Sequence, residues 1–213
     1  MNTHSKKKVY LGLIWLAVFL LWTVTISSVD VQAVGPREST VGLASLNKAF
    51  HDLTGVHLLL YAVTDRLSLI PLGCAVGFSL LGLAQWLGRK RLSNVDRSIL
   101  ILGGYYIFVA AVHGFFEWHV INYRPILIDG VLEASYPSST TTLVLTIMPT
   151  TIMQLNTRVK NSALKRGIVS AISIFIGFMV IGRLISGVHW LSDIIGGVFL
   201  SAGCVMLYAF FAE

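Results

Sequence analysis

Residues 167–211 read GIVSAISIFIGFMVIGRLISGVHWLSDIIGGVFLSAGCVMLYAFF. Two apolar stretches, 167–186 and 190–211, flank a short polar turn. Each meets the roughly 20 mostly apolar residues that a helix needs to cross a bilayer. The turn carries Arg183, His189 and Asp193, placed where an apolar helix ends and the next begins. A helical hairpin in a membrane, with ionisable groups at its tip, is the unit from which the fold is read.

Four further stretches of the same kind lie upstream, at 9–29, 68–87, 98–120 and 138–155. Composition agrees. Hydrophobic residues make up 55% of the 213 residues and charged ones 12%, and mean hydropathy is +0.76. A soluble domain carries about 25% charged residues. Disordered chains, coiled coils and almost all soluble enzymes are thereby excluded. The expectation is an all-α integral membrane bundle of six transmembrane helices, forming a single domain over 1–213. Lys6–Lys8 and Val31-Gln32-Ala33 resemble the ends of a secretory signal, but the apolar stretch between them exceeds the roughly 7–15 residues of a signal core. It reads as a retained anchor.

The net charge of +6 does not indicate a nucleic-acid partner. Of 16 Lys and Arg, 11 fall in three clusters between apolar stretches: Lys6–Lys8, Arg89–Arg97 and Arg158–Arg166. Short cytoplasmic loops gather basic residues in this way. Both termini are therefore expected in the cytoplasm, with segments 30–67, 121–137 and 183–189 on the outer side. Cys74 and Cys204 lie inside apolar runs, so no disulfide framework is expected. Segment 30–67 is too long for a plain turn. Gly35-Pro36 breaks the chain, Ser39 or Thr40 is placed to cap a helix from Val41, and apolar residues recur at helical spacing, giving a short interfacial helical cap.

Charges in or beside membrane spans are costly and suggest function by default. His189 and Asp193 are four apart at the start of a helix and share a face. A carboxylate there can hold one imidazole nitrogen as donor and leave the other free as base or nucleophile. Arg183 lies six residues earlier, and Arg124-Pro125 and Pro137-Ser138-Ser139 end on the same side. Pro137 fits the first turn of a helix, whose free amides at Ser138 and Ser139 would face an anion. Two arginines, a hydroxyl-bearing helix start and an oriented histidine describe a phosphate site. His113, His119, His189 and Asp193 show no compact metal-ligand spacing, so neither metal nor cofactor is expected. His113 reads as a polar contact between spans, and Trp118 and Trp190 as interfacial aromatics.

Arg183 to Asp193 fits the pattern R-x5-H-x3-D, Arg124-Pro125 the end of K-x6-R-P, and Pro137-Ser138 the start of P-S-G-H. In these three signatures the chain resembles the type 2 phosphatidic acid phosphatase superfamily, by motif over its carboxy-terminal half and by plan throughout. The resemblance implies metal-free hydrolysis of a membrane lipid phosphate through a phosphohistidine. His189 would be the nucleophile and Asp193 its orienting partner, with Arg183, Arg124, Ser138 and Ser139 on the phosphoryl oxygens. Glu117 stands where the family has lysine, and Thr140 where it has the histidine that protonates the leaving oxygen.

An alkoxide leaving group needs such a proton, and general acid help is worth about 10²–10⁴-fold. A departing phosphate needs it far less. The pattern therefore favours a pyrophosphate such as undecaprenyl pyrophosphate in a bacterial cell envelope, unless Glu117 or His119 donates the proton. The alternatives are a phosphotransferase with nearly the same residues, or a catalytically silent lipid-phosphate-binding or scaffolding relative.

Overall fold

The computed structural model describes residues 3–212. Among them are eight α-helices: α1 (Thr3–Ser28), α2 (Ala44–Thr54), α3 (Leu58–Leu67), α4 (Leu69–Arg89), α5 (Arg97–Trp118), α6 (Ser139–Arg158), α7 (Ser162–Ile185) and α8 (Leu191–Phe211). The architecture is all-helical, as expected. Five elements are long and apolar enough to cross a membrane: α1, the nearly continuous α3–α4 pair of 32 residues, α5, α7 and α8. Large apolar side chains such as Leu21, Leu80, Ile107 and Ile174 are exposed around the bundle. In water such a surface would aggregate. Against acyl chains it is the ordinary exterior of a multi-pass membrane protein.

The stretch at 138–155, the fourth of the six expected spans, differs from the other five in composition. It is helical, but α6 is too polar to qualify by hydropathy, and it packs against α4, α5, α7 and α8. Thr141, Thr146, Thr150 and Gln154 are all buried within it. Their polar atoms are met inside the protein. Thr146 Oγ1 donates to the Thr142 carbonyl at 2.7 Å and Thr150 Oγ1 to the Thr146 carbonyl at 3.1 Å. Helix α6 is thus a polar post sheathed by apolar helices. Small hydroxyl side chains let its neighbours approach closely.

The cap also departs from expectation. Helix α2 begins at Ala44 rather than Val41, after Leu43 in the left-handed region, with no side-chain cap from Ser39 or Thr40. Its first turn is served by Asp30 instead, whose Oδ2 accepts from the Ser45 amide at 2.7 Å. That bond and one from Gln32 hold the Asp30 carboxyl below the usual carboxylate range. Helix α3 is the first part of a span rather than part of a separate cap, because only Ser68, itself in helical conformation, separates it from α4. It packs on α7.

The two ends of the bundle differ in chemistry. At one end the α4–α5 and α6–α7 connections meet where Asp96 binds Arg89 at 2.9 Å and Arg158 at 3.5 Å. At the other, the α5–α6 and α7–α8 loops meet the start of α8 and the turn before α2. The buried Asn47 ties α2 there, donating to the Gly42 carbonyl and to Ser192 Oγ, each at 2.8 Å, and accepting from the Ser192 amide at 3.0 Å.

Candidate active site

The α5–α6 connection is shaped by residues 128–131. Ile128 and Val131 exchange both backbone hydrogen bonds, and Asp129 and Gly130 have φ of 49° and 76°. Positive φ at both central residues defines a two-residue hairpin for which Asp-Gly is favoured. The hairpin brings Arg124 opposite Glu133, with the Arg124 amide on the Glu133 carbonyl at 3.0 Å. Beyond it, Tyr136 is wedged into the core. Its ring stacks on Phe19 and meets Phe116 edge-on, and its hydroxyl lies 2.6 Å from Thr23 Oγ1. The ring lies flush on Gly196, where an added Cβ would stand 2.3 Å from Tyr136 Cε2. Tyr136 thereby fixes its neighbours Ser135 and Pro137, the latter joined by a cis peptide bond.

Pro137 precedes α6 rather than occupying its first turn. Ser138 is the N-cap, its Oγ accepting from the Thr141 amide and donating to Thr141 Oγ1 at 3.0 Å. Its own amide donates to the Asp193 carbonyl at 3.1 Å. The Ser138 amide is therefore occupied in joining α6 to α8, and its hydroxyl in capping α6. Ser139, the first residue of α6, faces open space instead, as does Thr140.

The α7–α8 turn carries His189. Gly187 has φ +71°, and an added Cβ there would collide with the Gly55 carbonyl at 2.1 Å. This close approach docks the turn on the α2–α3 connection, where the His57 amide donates to the Ser186 carbonyl at 2.9 Å. His189 and Asp193 do share a face, but Nδ1 and Oδ2 are 4.0 Å apart. The Ser135 hydroxyl bridges them, 2.9 Å from His189 Nδ1 and 2.5 Å from Asp193 Oδ2. Asp193 also accepts from the Trp190 amide at 2.9 Å and Asn122 Nδ2 at 3.1 Å. Donors thus surround the carboxylate, and Ser135 spends its one proton on it. The serine oxygen then accepts from His189 Nδ1–H, which leaves a lone pair on Nε2.

His189 Nε2 is buried and has no hydrogen-bond partner among the described residues. Burial foremost, then the nearby guanidiniums of Arg124 and Arg183, hold the imidazole well below its ordinary pKa. It is neutral at neutral pH. Both guanidiniums are themselves nearly enclosed. Arg183, 1% exposed, lies over the Tyr61 ring at 4.7 Å and reaches Thr64 Oγ1 at 3.3 Å and Asp65 Oδ1 at 3.5 Å. Arg124 Nε is 3.0 Å from Glu133 Oε2 but out of line for a hydrogen bond. Arg124 Nη1 and Arg183 Nε are buried without partners. An unsatisfied buried polar group costs about 1–3 kcal/mol, more when charged.

Two cavities open on the arginines and the start of α6, with His189 and Asp193 buried behind them. One, of about 630 Å³, is lined by His113, Glu117, Arg124, Glu133 and Ser139 among others. The second, of about 460 Å³, runs along apolar side chains of α4, α5 and α6 and reaches Asp65, His113, Arg124, Ser139, Thr140 and Arg183. The structure therefore gathers His189, Asp193, Arg183, Arg124, Ser139 and Thr140 at one end of the bundle, with Glu117 on the wall of the larger cavity. His119 is elsewhere: it ends α5 exposed, its ring against Phe115 and Trp118, and lines neither cavity.

Ser135 was absent from the sequence-based site. It belongs to no signature spacing and acts across 54 and 58 residues, so only the folded loop reveals it. His113 reads from sequence as an interspan contact. Its spacing of four from Glu117 was a visible signal, and the two side chains do pair, Nδ1 lying 3.9 Å from Oε1.

The model of the PAP2 superfamily matches residues 98–212, more than half of the chain, which belongs to that superfamily. Its architecture is similar to that of the first transmembrane PAP2-type phosphatidylglycerolphosphate phosphatase from Bacillus subtilis. The two share 16% identity over 94% of each chain, with a TM-score of 0.60. The protein has the fold of a PAP2-type membrane phosphatase. No curated protein matches its sequence.

Proposed function

We propose that the protein hydrolyses the terminal phosphate of a membrane lipid phosphate or pyrophosphate through a phosphohistidine at His189. One observation carries this: Arg124 Nη1, Arg183 Nε and His189 Nε2 are buried together on three separate segments without partners. A phosphoryl group supplies what each lacks, acceptor oxygens for the two cations and an electrophile for the lone pair. A planar guanidinium can engage two phosphate oxygens at once, and the start of α6 at Ser139 adds the positive end of a helix dipole.

In the first step Nε2 attacks phosphorus while the bond to the leaving oxygen breaks. Positive charge develops on the imidazole and is stabilised through Nδ1–H, Ser135 and Asp193. Water then attacks the phosphoryl group, the P–N bond breaks, and inorganic phosphate leaves. The arginines hold the equatorial oxygens in both steps. Each well-placed donor to developing charge is typically worth about 10²–10³-fold.

In the membrane the proposed arrangement has six crossings, α6 being the sixth, with both termini in the cytoplasm. The basic clusters at the end opposite the site support that orientation, since such clusters favour the cytoplasmic face. The site then works at the outer leaflet of a plasma or inner membrane. The apolar cavity beside α4–α6 suits the first part of a lipid chain. Thr140 on its wall, in place of a proton-donating histidine, favours a pyrophosphate of the undecaprenyl kind, whose leaving phosphate is less basic than an alkoxide.

The test is phosphate release by the protein purified in detergent, with a chelator present. The panel contains undecaprenyl pyrophosphate, phosphatidate and phosphatidylglycerol phosphate, alongside His189→Ala. The expected result is fastest release from the pyrophosphate, an acid-labile phosphoenzyme, and loss of both in the variant by at least about 10³-fold. Release that survives in His189→Ala overturns the phosphohistidine. A faster monoester overturns the pyrophosphate preference alone.

A further inference from the structure

The proposed chemistry leaves the origin of the leaving-group proton open. Thr140, at the family's proton-donor position, carries a hydroxyl too weakly acidic for the task, and His119 is turned away from both cavities. The two arginines on the walls do not release protons at physiological pH. His113 stands apart from these. It projects from α5 one turn before Glu117 and lines both cavities, as Arg124 and Ser139 also do. The side chains of His113 and Glu117 are each about half exposed, at 49% and 53%, so neither is committed to packing. Nδ1 faces the Glu117 carboxylate at 3.9 Å, which leaves Nε2 as the atom free for proton transfer.

A carboxylate facing one imidazole nitrogen leaves the other nitrogen to meet the substrate. Imidazole is also the side chain suited to exchanging a proton near neutral pH. Glutamate at 117, where the family's lysine would bind phosphate, takes on a different task in this arrangement: it serves a histidine instead of the substrate.

We propose that His113, oriented by Glu117, is the general acid that protonates the leaving oxygen. This rests on the phosphohistidine reading of the site. As His189 Nε2 bonds to phosphorus and the P–O bond breaks, His113 Nε2–H passes its proton to the departing oxygen. The products are a lipid alcohol, or a lipid monophosphate from a pyrophosphate, together with phosphohistidine and a neutral His113. In the second step the attacking water returns its extra proton to His113, the P–N bond breaks, and phosphate is released. The site thereby acquires the capacity to cleave phosphomonoesters as well as pyrophosphates. Its substrate class widens to lipid phosphates whose leaving group is a strongly basic alkoxide.

The experiment compares phosphatidate with diacylglycerol pyrophosphate carrying the same acyl chains, in detergent micelles. It measures lipid-product release in a single turnover, which reports phosphoryl transfer to His189 before water enters. In His113→Gln the loss on phosphatidate is expected to exceed the loss on the pyrophosphate by on the order of 10²-fold. Glu117→Gln should shift the same ratio in the same direction by a smaller factor. Equal losses on both substrates in both variants would overturn the proposal and leave the phosphohistidine intact. A wild-type protein with no His189-dependent turnover on either substrate would overturn both together.

Discussion

The two ends of the bundle solve the same problem, keeping arginines at the edge of an apolar body, in opposite ways. At the end gathered around Asp96, Arg89 and Arg158 are partly exposed and share one carboxylate. Gln85 Nε2 adds a bond to Asp96 Oδ2 at 2.8 Å, and Gln85 Oε1 accepts from the Asp96 amide. At the other end Arg183 and Arg124 are buried, and each retains at least one nitrogen atom that nothing among the described residues satisfies. Removing a guanidinium from water costs several kcal/mol unless its partners compensate. The first cluster holds loops together; the second leaves buried donors unpaired, and the proposed phosphate site rests on that difference.

The largest effect that sharpens this contrast comes from Ser135, because it belongs to the charged site without carrying charge. Ser135→Ala leaves His189 Nδ1–H without its acceptor and takes one donor from Asp193 Oδ2, which keeps the Trp190 amide. A buried group so stranded costs about 1–3 kcal/mol, so kcat is expected to fall by roughly 10- to 10²-fold. KM should change little, since Ser135 acts through His189 and not on the phosphate. A variant with wild-type kcat would show that His189 needs no bridge to Asp193.

The second effect is a shift in pH dependence. Burial and two guanidiniums depress the His189 pKa in the folded protein, whereas an unfolded histidine titrates near 6.5. As pH falls below about 6.5 the unfolded state takes up a proton that the folded state does not. Folding stability declines over that window, down to the folded pKa, while His189 stays neutral. The acid limb of kcat/KM, after allowance for the substrate's own ionisation, is therefore expected well below pH 6.5. A limb at or above that value would mean that His189 is hydrated and the site more open than its geometry describes.

How much of this was legible in the sequence follows the range of the interactions. Hydropathy marks α1, α4, α5, α7 and α8 because lipid contact demands long apolar runs. The spacing of Arg183, His189 and Asp193 is visible because one turn and one helix start carry all three. Helix α6 falls short of the hydropathy of a lipid-facing span because its repeated threonines turn their hydroxyls toward other helices. The Asp129-Gly130 hairpin was readable from its dipeptide and was passed over. Ser135 and Asn47 are beyond reach: each finds a decisive partner across more than 50 residues, through loops whose course is set by the packed aromatic ring of Tyr136 and by α2.

The smallest effect is expected at the opposite end. Hydrogen bonds from Arg89, then Gln85, hold the Asp96 carboxyl below the usual range. A depressed carboxylate contributes stability above its unfolded pKa, about 3.9, and loses that contribution as pH falls through the folded value. Asp96 is 41% exposed on its side chain, so solvent and salt screen most of the interaction. Asp96→Asn should therefore cost less than about 1 kcal/mol at neutral pH, read as a small drop in Tm that high salt diminishes. Phosphate release should be unchanged, because no Asp96 partner reaches either cavity. If the substitution abolished turnover in a folded protein, the division between a structural end and a reactive end would fail, and the two arginine clusters would have to be coupled through α6.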